Sequence, residues 1–423
     1  MSRRGFIAVY GAVLAAMATV SLPDVFAAEP AGVPEEDRCA ACHKDLGSDV
    51  VDVDLFYGAD IHARSGLGCA ACHGGDPATD DPDEAMAASA GFLGAPAHGE
   101  SPEFCGRCHQ DPEYMRRFNP RLPVDQLTLY RTSRHGKLWS KGDRSAATCV
   151  SCHGVHDIRP ASEPKSPIHP RNLSDTCGHC HSDAALMAPY GIPTDQVADY
   201  HESVHWEFIR DRGDLSAPTC NDCHGNHGAL PPEVKSISGV CGQCHVQNRA
   251  LFARGPKKAI FDDAGFPECE TCHGNHAIRP LTDGAVGLGE GALCAQCHED
   301  DGSPAAEAIL RMSRALLDLS DTLAVSEAAL HGAIQKGMYL TDAEFLWRDA
   351  RQKLYESRTI LHGFEPEPLV ASTGEGLKLA RQVNADALGA MKEYRYRRDG
   401  LLVATLIVSV LAVLLYLKIR TLE

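Results

Sequence analysis

Nine times in 423 residues the chain sets two cysteines three positions apart with a histidine directly behind the second. These C-x-x-C-H sets are Cys39 and Cys42 with His43, Cys69 and Cys72 with His73, Cys105 and Cys108 with His109, Cys149 and Cys152 with His153, and Cys177 and Cys180 with His181. Four more follow: Cys220 and Cys223 with His224, Cys241 and Cys244 with His245, Cys269 and Cys272 with His273, and Cys294 and Cys297 with His298. They use all 18 cysteines, which leaves none for a disulfide or a free thiol. A disulfide scaffold rarely repeats one spacing, and structural zinc takes four ligands, usually from two C-x-x-C units at regular separation. Two thiols so placed can instead form thioethers with the vinyl groups of haem while the adjacent histidine reaches the iron. The residues therefore predict nine covalently attached c-type haems.

Each iron also needs a sixth ligand. Of the 21 histidines, nine are proximal and twelve are not. His331 and His362 fall in a helical C-terminal region and His179 is trapped between Cys177 and Cys180, so these three are set aside. The remaining nine are His62, His98, His135, His156, His169, His201, His205, His227 and His276, one for each iron, which predicts bis-histidine ligation. His156, His227 and His276 recur in CVSCHGVH, CNDCHGNH and CETCHGNH. Each lies so near its own proximal histidine that a neighbouring haem is the expected target, a surface or hydrogen-bonding histidine being the alternative. Met86, Met115 and Met187 are further candidates. Methionine ligation raises a haem potential and two histidines keep it lower, so negative potentials are expected for most of the haems.

The motifs are positioned by an internal repeat of two motifs each, preceded by the single set at Cys39. The first repeat runs from YGADIHARSGLGCAACHGG to CGRCH, with His62 upstream. The second and third align Tyr130 and His135 with Tyr200 and His205; His201 then aligns with Arg131. The fourth has Pro256, Lys257 and Lys258 where the upstream histidine should stand, leaving a lysine ligand or an open iron as options there. Nine motifs between Cys39 and His298 leave about 29 residues each, too few to bury a separate core, so the haems themselves should fill the interior.

The flanks are of another kind. Residues 1–28 carry Arg3, Arg4, an apolar run and small residues at Ala27 and Ala28, the pattern of a secretory signal. Residues 29–302 form the nonahaem domain. From Ser303 the apolar positions Ile309, Met312, Leu316, Leu319, Leu323, Leu330 and Ile334 step by three and four, which predicts a long amphipathic helix capped by Ser303. A second helix is expected over 342–361 and a third from about Thr373, making residues 303–399 a helical stalk. Residues 400–418 are apolar enough to span a bilayer, with 419–423 as a cytoplasmic tail. Arg395, Arg397 and Arg398 stand on the side where positive charge is unusual, a placement suited to anionic headgroups of the outer leaflet. The expected fold is mainly irregular and α-helical, with a haem-packed core, little sheet, the stalk and one C-terminal transmembrane helix.

The CHGNH and CHGVH stretches, each followed by a second C-x-x-C-H, resemble the doubled C-x-x-C-H, class III-like multihaem cytochromes c over residues 39–298. The resemblance implies closely stacked haems that pass electrons along the chain. With an inner-membrane anchor and the large domain in the periplasm, the expected partners are redox proteins, among them a quinol-oxidising membrane complex or cytochrome b, in anaerobic respiration. A formal charge of -17 favours basic partners and argues against nucleic acid. Two other functions fit the residues: an oxidoreductase of the nitrite, hydroxylamine or tetrathionate type with one open haem, and a structural haem subunit of a respiratory complex.

Overall fold

The computed structural model describes residues 37–47, 51–229 and 238–422. The signal sequence expected over 1–28 lies outside the described residues. Among those residues the regular elements are helices, with no strand. Two compact units are present, divided after Thr176. The composition changes at 303, but the division does not fall there, because the stalk packs with the last motifs of the second unit.

The motif helices are short for a local reason. Cys69–His73, Cys149–His153 and Cys220–His224 are single turns. A polar side chain inside the motif closes the start of two of them: the Thr148 N–H donates to Ser151 Oγ (3.0 Å) and the Thr219 N–H to Asp222 Oδ2 (2.7 Å). The glycine behind each histidine ends the turn with a positive φ, +68° at Gly74 and +78° at Gly154 and Gly225, where a side chain is disfavoured. At Gly74 a Cβ would also collide with the Gly91 carbonyl. The second motifs of the first two repeats instead end nine-residue helices, Ser101–His109 and Leu173–His181.

The repeat is visible in the backbone. Ile61 N–H donates to Ile158 O at 2.8 Å in the first unit, and Val204 N–H donates to Ile278 O at 2.8 Å in the second. In each case the segment bearing an upstream histidine is tied to the segment just behind the next repeat's CHGVH or CHGNH. Apolar side chains are sparse around the motifs: the first unit's cluster is Ala40, Val53, Phe56, Tyr57 and Ala63.

The stalk has a conventional core. Its first helix, Pro304–Ile334, begins as expected, with Ser303 Oγ accepting from Ala306 N at 3.2 Å and Pro304 in the first turn. The second is Thr341–Ile360. The third, Pro366–Arg420, starts seven residues before the expected Thr373, because Pro366 and Pro368 suit a first helical turn. Met312, Leu316, Leu319, Leu323, Ala350, Leu354, Leu369 and Ala380 form the main cluster, with Leu330, Ala343 and Val383 beyond it. Gly376 lets the helices approach: a Cβ there would lie 2.9 Å from Leu319 Cδ2. The third helix continues into residues 401–417, whose side chains are all exposed, and its apolar window has mean hydropathy 2.7. It is long and apolar enough to cross a membrane.

Candidate haem-binding sites

Upstream histidines sit at one fixed place, the second residue of a capped helix. Asp60 caps Ile61–Arg64, Ser133 caps Arg134–Ser140 and Ser203 caps Val204–Arg212, so His62, His135 and His205 are each two residues behind a cap. In the fourth repeat that place belongs to Lys258, in the helix Lys257–Ala264. Its ammonium pairs with Asp262 and with Glu268, the latter at 3.4 Å, and these carboxylates raise its pKa. A charged lysine has no lone pair for iron. Lys257 lies 4.9 Å from the Phe364 ring, a cation–π contact.

Imidazoles from outside the motifs face proximal imidazoles. His62 faces His109 at 5.9 Å between ring centroids, His73 faces His156 at 6.2 Å, His205 faces His245 at 6.4 Å, and His224 faces His276 at 6.0 Å. Two metal–imidazole bonds of about 2 Å, plus the distance from each nitrogen to its ring centre, give roughly 6 Å. Ordinary aromatic pairs share this range, so the hydrogen bonds matter as well. His62 Nδ1 donates to the wholly buried Asp60 (Oδ1, 3.0 Å), and His73 Nδ1 donates to Gly94 O (2.9 Å). Each bond places the proton on Nδ1 and leaves the Nε2 lone pair for a metal, the usual arrangement of a ligating histidine. Burial lowers the pKa of His156, His205 and His276, and the facing imidazole lowers it further, which favours the neutral form that binds metal.

The pairs follow one rule. A second-motif histidine is faced by its own repeat's upstream histidine, as in His62 with His109 and His205 with His245. A first-motif histidine is faced by the post-motif histidine of the next repeat, as in His73 with His156 and His224 with His276.

Other candidates are placed differently. His98 is exposed, and its Nε2 bonds Ser151 Oγ (2.9 Å) and Thr148 Oγ1 (3.2 Å) at the start of a motif helix. His169 is buried, but its Nδ1 accepts from Arg171 N (3.2 Å), the opposite polarity to His62 and His73. His201 stacks on Trp206 at 4.5 Å. His135 and His227 are engaged in further contacts, and the His227 N–H also donates to Asn226 Oδ1. The Nδ1 of the proximal His43 is buried without a hydrogen-bond partner among the described residues. His362, set aside with the stalk on sequence grounds, stands with its ring centroid 6.1 Å from that of His273. Asp60, which orients His62, was also missed, since nothing in its spacing separates it from an ordinary helix cap.

The attachment cysteines follow one another in space as in sequence. In the first unit Cys69 is influenced by Cys39 and Cys72 by Cys108 and Cys105, while the Cys105 thiol hydrogen-bonds that of Cys149. In the second unit Cys177 bonds Cys220, Cys223 is influenced by Cys241 and Cys244, Cys241 bonds Cys269, and Cys272 is influenced by Cys294 and Cys297. Within each unit, consecutive motifs are therefore neighbours. The cysteines are unbridged, and the paired imidazoles leave metal-sized gaps, so the residues fit covalent haem.

Residues 61–182 match the family model of cytochrome c3, a stretch that holds four of the nine motifs. No curated protein and no solved structure matches the chain. The match supports a multihaem c-type cytochrome, an electron-transfer protein with covalently bound haem c.

Proposed function

We propose that the protein is a nonahaem c-type cytochrome, anchored in the inner membrane by its C-terminal helix, that carries electrons on the periplasmic side between a quinol-linked membrane complex and other carriers. The observation that carries this reading is the recurrent facing of a proximal imidazole by a second one, at 5.9 to 6.4 Å. An iron with both axial places filled exchanges electrons without binding substrate. Haem c would supply the one-electron couple; within each unit the chain holds each attachment beside the next, orients the imidazoles and keeps them neutral.

The stalk bears on the partner. From Pro366 to Leu401 the third helix rises about 50 Å, and the fourth repeat docks at the end away from the apolar segment, where Gly255 lies against Gly363. Electron tunnelling falls steeply with distance, so a membrane complex would have to present a redox centre well outside the bilayer. The acidic surface suits a basic docking face on that partner.

The test is a haem count with low-temperature EPR on the detergent-solubilised protein. A ratio of nine haems per chain is expected, falling to eight in the Cys220→Ala/Cys223→Ala variant, with low-spin signals dominant. A count well below nine refutes the reading. The second reading, an oxidoreductase with one open haem, is favoured by the fourth repeat, where the charge-paired Lys258 occupies the place of the upstream histidine that would face His298. A stoichiometric high-spin signal together with turnover of nitrite or hydroxylamine would select it.

A further inference from the structure

We propose that His362, on the turn between the second and third stalk helices, is the sixth ligand of the haem held by Cys269, Cys272 and His273. The inference rests on the nonahaem reading above and adds a ligand from outside the motif region.

The pairing rule exposes the need. The first-motif histidines His73 and His224 take their partners from the following repeat, but the fourth repeat is followed by none, so His273 has no partner of that kind. His362 stands in the place. The two rings are nearly parallel, 9° apart, with centroids 6.1 Å from each other. That is wider than face-to-face contact, in which carbon atoms approach to about 3.5–4.0 Å, and it matches the spacing of the other four pairs. His362 Nδ1 donates to the carbonyls of Arg358 (3.1 Å) and Thr359 (3.2 Å), which leaves the Nε2 lone pair for iron. Asn248 Nδ2 lies 3.2 Å from Nδ1 and 3.3 Å from Nε2, and coordination would replace the second contact.

The turn is held in place by more than chain connectivity. Phe364 adopts φ +53°, uncommon for an aromatic residue, and its ring packs edge-on against Phe252 at 6.1 Å, with Lys257 over its face. Gly255 gives room to the Gly363 carbonyl, which a Cβ there would approach to 2.7 Å. Arg358 grips Asp283 through two bonds of 2.9 Å. These contacts join the fourth repeat to the stalk on either side of His362. The stalk is thereby part of the redox module as well as its support.

The experiment uses the full-length, detergent-solubilised protein and its His362→Ala and His362→Met variants. Haem on the peptide containing Cys269 and Cys272 is checked by mass spectrometry. In His362→Ala one haem equivalent should change from low to high spin, and added imidazole should restore it. In His362→Met one haem should be low-spin with a more positive midpoint potential, a change that a merely structural role would not produce. If His362→Ala stays wholly low-spin with its haem content intact, the assignment is overturned. Should the alanine variant fail to assemble, His362→Met decides: unchanged potentials for all haems overturn the proposal. A wild-type peptide without haem at Cys269 and Cys272 overturns the nonahaem reading and the ligand with it, whereas the variant results address the ligand alone.

Discussion

Asp60 tests whether the histidine pairs are ligands or only neighbours. Its carboxylate is wholly buried and both oxygens are used: Oδ1 accepts from His62 N (2.8 Å) and His62 Nδ1 (3.0 Å), and Oδ2 accepts from Ile158 N (2.8 Å). Asp60→Asn keeps the shape but turns one acceptor into a donor. Whichever way the amide is placed, an N–H of Ile158 or of His62 then meets another N–H, and each orphaned buried donor costs about 1–3 kcal/mol. Loss of the carboxylate behind His62 should also weaken its hold on iron by about tenfold to a hundredfold, or about 1.4–2.8 kcal/mol. The two effects separate experimentally. Thermal unfolding reads the first. Carbon monoxide binding to the reduced protein reads the second, because the gas must displace His62; apparent affinity at one haem should rise by about the same tenfold to hundredfold factor. If stability falls while carbon monoxide affinity and spin state stay as in the wild type, Asp60 is only a helix cap and the ligand reasoning for His62 fails.

In the stalk, Gly376→Ala gains about 1 kcal/mol of helix propensity, but its Cβ meets Leu319 at 2.9 Å and Lys353 at 3.0 Å, an overpacking that costs about 1–3 kcal/mol. Circular dichroism melts should show no change or a net loss, and a clear gain would mean the helices are not tightly apposed there. Leu319→Ala should lose about 2–5 kcal/mol, and adding it to Gly376→Ala should cost less than the sum of the single changes. For pH, the imidazoles of His156, His205, His276 and His273 titrate below their ordinary value of 6.5, primarily through burial. The unfolded chain takes up protons first as pH falls, so stability is complete above about 6.5 and declines toward the lower folded values. Iron binding holds a ligating imidazole deprotonated to still lower pH, so the haem-loaded protein should stay low-spin through that window, and a rise in high-spin fraction near pH 6 would count against histidine ligation. Truncation after Asp399 should release the protein from membranes with its haem ratio unchanged; continued membrane retention would remove the C-terminal anchor from the proposal.

The motifs could be read because haem attachment is a local matter. Two thiols and a histidine within five residues are brought together by one turn, and the glycine behind the histidine ends that turn wherever the chain goes next. The first stalk helix was legible for a similar reason, since Ser303, Pro304 and a three-four apolar step are all local signals. The start of the third was not: Pro366 and Pro368 read as helix breakers in sequence, and only the fold shows that they lie in a first helical turn, where proline is tolerated. His98 and His169 looked equivalent to His62 in sequence, yet the fold gives one to a helix cap and reverses the hydrogen bond of the other.

By itself, the sequence determined the nine C-x-x-C-H motifs, the doubled repeat and the apolar C-terminal helix, because each depends on spacing over a few residues or a few turns. The tertiary structure decided which imidazole meets which. His156 reaches back to His73 across 83 positions and His362 to His273 across 89, separations at which chain spacing carries no information. Such pairs form only when capped helices, interlocked repeats and a strained turn at Phe364 bring distant segments to one place.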